Sequence, residues 1–228
     1  GVGDGPDGHS MWPSFTNVPV EYLESYFPLR IEKHETVADT GGPGKYRGGN
    51  ALRVDYCFLE DGTISIHDDR WLTYPWGVTG GEPGERSIKV MYRGGYDTGI
   101  VEYHASKCDN VVVNKGDILA FITWGGGGVG NALKRDSDIV GLEVRRGLVT
   151  VEGALRYGVV CDAHGTVDDA STKKLRAEMQ SKRPAKDPVF NKGPDLKTLL
   201  ANSERETHLK APKPPIFQSS VAMPRAAE

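Results

Sequence analysis

Long apolar runs are missing from this 228-residue chain. No stretch approaches the ~18 consecutive apolar residues of a membrane-spanning helix, and the opening residues carry no basic-plus-apolar leader pattern, so no membrane partner is expected. Cysteine is scarce. Cys57, Cys108 and Cys161 stand far apart, which excludes a disulfide framework and a paired-cysteine zinc signature and favours a reducing, cytoplasmic setting. Charge of one sign is not in excess: 28 basic residues face 31 acidic ones for a net charge of -3, and nucleic-acid binding through bulk charge is not expected. The phosphate-cradling loop that ends in lysine and serine or threonine is also absent.

What is abundant is turn chemistry, with 29 glycines and 14 prolines. Charge is mixed and apolar segments persist, so the composition describes a turn-rich globular protein rather than a disordered one. A chain of this length buries roughly 70% of the surface it exposes unfolded. Between residues 18 and 124 the segments are short, β-branched or aromatic, and bounded by glycine and proline, as in a β-dominated domain. Partial alternation over 29–37 and cleaner alternation over 52–59 and 63–67 predict strands, the last two joined as a hairpin through Glu60-Asp61-Gly62. Further strands are expected over 87–93, 99–104, 110–113 and 118–124.

After Gly128 the pattern changes. Asp136 is placed to cap a helix that Gly147 ends, a short helix is expected over 151–157 before Gly158, and Asp168 or Asp169 caps another reaching Gln180. Beyond Ser181, seven prolines and few large apolar residues predict a tail laid over another surface. The expected architecture is α+β: a β-dominated domain over 1–130, a small helical appendage over 131–180, and an extended proline-rich tail over 181–228.

Candidate chemistry concentrates at His67-Asp68-Asp69-Arg70-Trp71, where a strand ends. His67 beside Asp69 suits proton transfer, and Arg70 suits a forked contact to a carboxylate or phosphoryl oxygen; an internal ion pair is the structural alternative. Trp71, Tyr74 and Trp76, around Pro75, fit a substrate wall or a subunit interface. Asn17, Asp4, Asp7 and His9 lie in a glycine-rich stretch suited to close contact with a ligand or a neighbouring chain. The run Gly125 to Gly128 admits an anion cradle or close backbone packing. Glycines 41, 42, 44, 80, 81 and 84 read as turn residues with positive φ. Cys108, next to Lys107, is weighed as a nucleophile and as an inert thiol.

The block Asp39-Thr40-Gly41-Gly42-Pro43-Gly44-Lys45-Tyr46-Arg47-Gly48-Gly49 resembles the hydantoinase B/oxoprolinase family. Five other elements agree in order: Asn17-Val18-Pro19-Val20-Glu21, Phe27-Pro28-Leu29-Arg30, Asp68-Asp69-Arg70 with Pro75-Trp76-Gly77, Gly80-Gly81-Glu82-Pro83-Gly84, and Trp124-Gly125-Gly126-Gly127-Gly128-Val129-Gly130. The resemblance runs to about Gln180 and corresponds to the carboxy-terminal part of the family's usual polypeptide, in keeping with an opening that lies already inside a glycine-rich loop. Asn131-Ala132 stands where the family usually has aspartate and proline.

The resemblance implies a subunit that works with a hydantoinase A-like ATPase partner and with the upstream part of its own hydantoinase B-like subunit. It further implies an enzyme, inactive as this chain alone, that uses ATP to hydrolyse cyclic amides of the hydantoin, oxoproline or lactam class, or to carboxylate ketones such as acetone. A non-catalytic scaffold within such a complex is the remaining alternative. ATP and a divalent metal are expected to bind outside this chain, since the family's metal-holding histidines and aspartates lie upstream; no metal ligand is assigned here. The residues expected at a site are His67, Asp69 and Arg70 as catalytic groups, with Asn17, Trp71 and Trp76 as contacts to a small-molecule substrate.

Overall fold

The structure, a computed structural model, describes residues 3–8 and 18–210. In chain order the elements are α1 (Val20–Tyr26), β1 (Leu29–Val37), β2 (Ala51–Phe58), β3 (Gly62–His67), β4 (Gly77–Val78), β5 (Ile88–Tyr92), β6 (Val101–His104), β7 (Lys107–Val113), β8 (Ile118–Ile122), α2 (Ser137–Arg145), α3 (Val151–Ala154), α4 (Asp169–Ser181), β9 (Phe190–Asn191) and α5 (Leu196–Thr207). This is an α+β fold. An antiparallel sheet of order β1-β2-β8-β5-β6 faces the pair β3–β7, and β4 pairs with β9. Phe58, Met91 and Leu119 from the large sheet pack with Ile66 and Val113 from the small one.

The expected hairpin of 52–59 with 63–67 does not form. β2 pairs with β1 and β8, and β3 pairs with β7. Both strands carry an apolar face, and stacking buries Phe58 and Ile66 in one core, whereas side-by-side pairing would leave that shared face uncovered.

Beside the sheets lies a layer built from backbone alone. The N–H groups of Gly125, Gly126 and Gly128 donate to the carbonyls of Glu85, Gly49 and Glu82 at 3.1, 2.8 and 2.9 Å, while Gly126 O accepts from Gly42 N–H at 2.8 Å. A Cβ on Gly125 would overlap the carbonyl of Thr40, and one on Gly127 the carbonyl of Trp76. Close packing, not an anion cradle, accounts for the run. Of the six glycines read as positive-φ turn residues, only Gly80 has positive φ, at 87°; Gly41, Gly42, Gly44, Gly81 and Gly84 instead face backbone atoms closer than a Cβ allows.

Helix starts follow their capping residues. Asp136, Thr150, Asp168 and Asp195 accept hydrogen bonds from the N–H groups of Asp138, Gly153, Ser171 and Thr198, each cap worth about 1 kcal/mol. Asn131, where the family usually has aspartate, accepts from Leu133 N–H at 2.9 Å and starts a short 3-10 turn. Val140, Val144, Val149, Ala154, Tyr157 and Val159 form a second core. Within the segment expected as an extended tail, residues 196–207 are helical: Asp195 caps them, Leu199 is buried, and Glu206 pairs with the buried Arg86.

Buried charge ties α2 to the loop before β2 and to the amino-terminal loop. Glu143 accepts from Arg47 Nε and Arg135 Nη2, both at 2.9 Å. Arg135 grips Asp4 through both terminal nitrogens at 2.6 and 2.7 Å, and Arg47 donates to Asp7 at 2.8 Å. Asp4 and Asp7, weighed above as ligand or interface residues, therefore neutralise two buried guanidinium groups. The neighbouring His9 lies outside the described residues.

Gly127→Ala is expected to cost about 3 kcal/mol or more by overpacking, against under about 1 kcal/mol for Gly62→Ala, whose new methyl would meet nothing closer than Val113 Cγ2 at 3.9 Å; denaturant titration measures both. Asp117 gives a second test. Burial pushes its carboxyl pKa up, but the N–H groups of Asn114 and Gly94 and the Arg93 guanidinium outweigh that and hold it below the usual carboxylate value. Its contribution is complete above the unfolded pKa of about 4 and disappears as pH falls through the lower folded value. Asp117→Asn should flatten this part of the stability-against-pH curve below about pH 4, checked by denaturation at stepped pH.

Candidate functional site at the end of the third strand

Period-two alternation along β3 sorts its last residues onto two faces. Ile64, Ile66 and, one step beyond the strand, Asp68 turn inward, while His67 and Asp69 turn outward and are exposed. Arg70, also exposed, is held with φ of 57°. Ser87 fixes the turn: its N–H donates to Arg70 O at 3.1 Å and its hydroxyl to Asp69 O at 2.8 Å. The three expected catalytic side chains thus occupy one short exposed turn. Asp69 meets Lys107 of β7 at 3.2 Å, a solvated pair of small energetic weight.

The buried chemistry lies one residue away. Asp68 forms an ion pair with Lys89 of β5, and the lysine side chain is wholly buried. Lys89 Nζ sits 4.5 Å from the centroid of the Phe121 ring, where the face of the aromatic system attracts a cation. Burial lowers the lysine pKa to about 7, while the adjoining carboxylate favours its charged form. Sequence reasoning passed over this pair, although the alternation Ile64, Ile66, Asp68 and the companion alternation Lys89, Met91 both signal it.

Trp71 is buried, with no hydrogen-bond partner for its indole N–H among the described residues. Its carbonyl accepts from Arg86 Nη1 at 2.9 Å, so it anchors the turn from beneath. Trp76 is exposed, packs edge-on against Phe190 at 5.9 Å and lies 4.7 Å below the Lys192 ammonium. Asn17 lies outside the described residues. Cys108 directs its thiol to Ala105 O at 3.1 Å, and burial raises its pKa, so it is not poised as a thiolate. Among the described residues, no three His, Cys, Asp or Glu side chains gather in a way that would hold a metal ion, and none of the helices is long and apolar enough to cross a membrane.

Comparison with known proteins places this geometry in context. A family model described as Hydantoinase B/oxoprolinase matches residues 1–132. The caprolactamase subunit beta of Pseudomonas jessenii is 30% identical over 166 residues, covering 69% of this chain and 28% of that protein. The crystal structure of the ATP-dependent caprolactamase from the same organism superimposes with a TM-score of 0.62 at 28% identity, over 70% of this chain and 28% of that one. A nucleotide-free acetone carboxylase structure, from work on ATP-dependent acetone carboxylation, reaches a TM-score of 0.67 over 90% of this chain and 31% of its own. At 22% identity the latter likeness concerns the fold. The chain thus spans under a third of the length of these relatives.

Lys89→Met should cost about 3–5 kcal/mol because it strands a buried carboxylate. The double variant Asp68→Leu/Lys89→Met should be clearly less destabilised than the sum of the two single changes. Urea unfolding of all four proteins tests this, and strict additivity would remove the pair from the account of the fold.

Proposed function

The chain belongs to the hydantoinase B/oxoprolinase family, and from that premise we propose that it is the carboxy-terminal portion of a hydantoinase B-like subunit in a heteromeric, ATP-dependent hydrolase of cyclic amides. The observation that carries the reading is its likeness, in sequence and in fold, to the beta subunit of an ATP-dependent caprolactamase. ATP, bound outside this chain together with the divalent metal, supplies the activation that an unstrained amide oxygen needs. The partners in this reading are a hydantoinase A-like ATPase subunit and the upstream part of the B-like subunit, and the setting is cytoplasmic. The substrate is a hydantoin, an oxoproline or a lactam.

This chain's own part is to form a wall of the site and to orient groups within it. Arg70, exposed on a turn fixed by Ser87 and by the buried Trp71, offers a forked donor to a carboxylate or phosphoryl oxygen. His67 lies on the same exposed turn with Asp69 and serves as the proton-transferring group. Trp76 and Asn17 contact the substrate, and Trp71 supports that wall from behind. The fold-level likeness to acetone carboxylase over 90% of the chain favours one second reading, ATP-dependent ketone carboxylation by the same kind of assembly.

The test uses the full-length subunit assembled with its ATPase partner. ATP-dependent opening of caprolactam, 5-oxoproline or hydantoin is expected, with no turnover by the 228-residue chain alone; bicarbonate fixation onto acetone without amide hydrolysis would select the carboxylase reading. In the active assembly Arg70→Ala should lower turnover about 10- to 100-fold with little change in melting temperature. Parallel loss of turnover and stability would return the turn to a purely structural role.

A further inference from the structure

The first helix is apolar on two sides and covered on one. At about 100° per residue, Val20, Leu23 and Glu24 of α1 share the side turned to β1, where Glu24 Oε1 accepts from Ile31 N–H at 2.8 Å. Tyr22 and Tyr26, one turn apart, project the other way and stack with ring centroids 4.3 Å apart. Val18 precedes them by a further turn and Phe27 follows. Leu59 lies beside this segment, its N–H donating to Pro28 O at 2.8 Å. The five apolar residues are 48% (Val18), 51% (Tyr22), 68% (Tyr26), 52% (Phe27) and 39% (Leu59) exposed.

Such a helix needs a cover. Seven residues are far below the ~12–15 at which a helix begins to hold in water on its own, and Val20, Tyr22 and Tyr26 are weak helix formers. None of its residues is buried. A pocket of about 170 Å³ remains between it and the sheet, lined by Val18, Val20, Leu23, Ile31, His34, Val54 and Tyr56. A helix with apolar groups on all sides is ordinarily enclosed, and an exposed apolar stripe with aromatic anchors marks an interface.

The size of the stripe selects its occupant. A separate molecule, a second copy of this chain included, needs roughly 20–30 residues a side to offset the freedom lost on association. Here five apolar residues are bordered by the exposed charges of Glu21, Arg30, Glu32, Lys33 and Glu35. Polypeptide of the same subunit carries no such association cost. The chain matches 28% of the caprolactamase subunit beta, so more than two thirds of a subunit of that length remains to be packed against it. We infer that Val18, Tyr22, Tyr26 and Phe27 form the docking stripe for the upstream part of the same B-like subunit, which covers them with an aliphatic surface and closes the pocket beneath α1. The inference rests on reading the chain as the carboxy-terminal portion of that subunit and adds the surface on which the two portions meet.

The test is hydroxyl-radical footprinting of the full-length subunit without its ATPase partner, with the 228-residue chain as reference. Tyr22, Tyr26 and Phe27 should label about tenfold or more slowly in the subunit than in the chain, at every concentration of a dilution series. Equal labelling would overturn the inference, as would protection already complete in the 228-residue chain. Protection that appears only with the ATPase partner, or only as the subunit is concentrated, would overturn it too, giving the stripe to that partner or to a second copy. The double variant Tyr22→Ala/Tyr26→Ala should leave the melting temperature of the chain little changed and clearly lower that of the subunit; small, equal changes in both count against the contact. Amide hydrolysis by the assembled enzyme is assayed on the same preparation. Protection without turnover would keep this contact and remove the reaction, whereas turnover without protection would remove the contact alone.

Discussion

Three stretches of main chain, residues 41–49, 76–85 and 125–130, lie so close together that no side chain fits between them, and much of the rest of the fold is referred to that contact. The backbone polar groups there are hydrogen-bonded segment to segment, as buried amides and carbonyls must be. Close approach carries a requirement on composition, because each glycine in the layer costs conformational entropy on folding. That cost is tolerable only where the surrounding structure is strongly held. The five-stranded sheet enters the layer directly, since β2 begins and β8 ends beside it, and the helical part leaves it at Gly130.

Holding the layer at its edge is the charge cluster of Arg47, Arg135, Glu143, Asp4 and Asp7. Burying two guanidinium groups is costly unless each is paired and its N–H groups are satisfied. Here Glu143 bridges both, and the amino-terminal aspartates and the carbonyls of Lys45 and Gly48 supply further acceptors. The cluster joins three regions distant in sequence, the amino-terminal loop, the loop before β2 and α2. Charge pairing of this kind specifies an arrangement more than it adds stability: a hydrophobic contact would permit small slides, whereas a forked hydrogen bond fixes register and direction.

Local rules were enough to read most strands and the helix caps at Asp136 and Asp168 from residues alone, because alternation and the acidic cap residues act within a few positions of themselves. What could not be read that way depends on partners far along the chain. The hairpin expectation failed because adjacency favours pairing, while the apolar faces of β2 and β3 favour stacking. The helix at 196–207 had its signals in Asp195, Leu196, Leu199 and Leu200, but the surrounding prolines suggested a bare tail. The glycine layer resembled turn chemistry since composition does not distinguish positive φ from close approach. At the strand end, the residue types pointed outward to His67, Asp69 and Arg70, while the period pointed inward to Asp68; a buried lysine in an apolar strand goes against the usual exposure of that residue and so was passed over.

The same layer explains why the loop carrying Glu82 is fixed and the segment facing it is not. Glu82 is bound through its own N–H to Pro43 O at 2.8 Å and through its carbonyl to Gly128 N–H at 2.9 Å, so its side chain starts from a rigid base. The facing segment, from Arg183 to Asn191, meets that base through the two-residue pairing of β4 with β9, the bonds of Thr79 and Gly80 N–H to Val189 and Pro188 O, and the contact of Arg183 with Gly80 O. Few bonds and little buried apolar surface mark a segment that opens at low free-energy cost. One side of this region is held by backbone packing and the other by a handful of polar contacts.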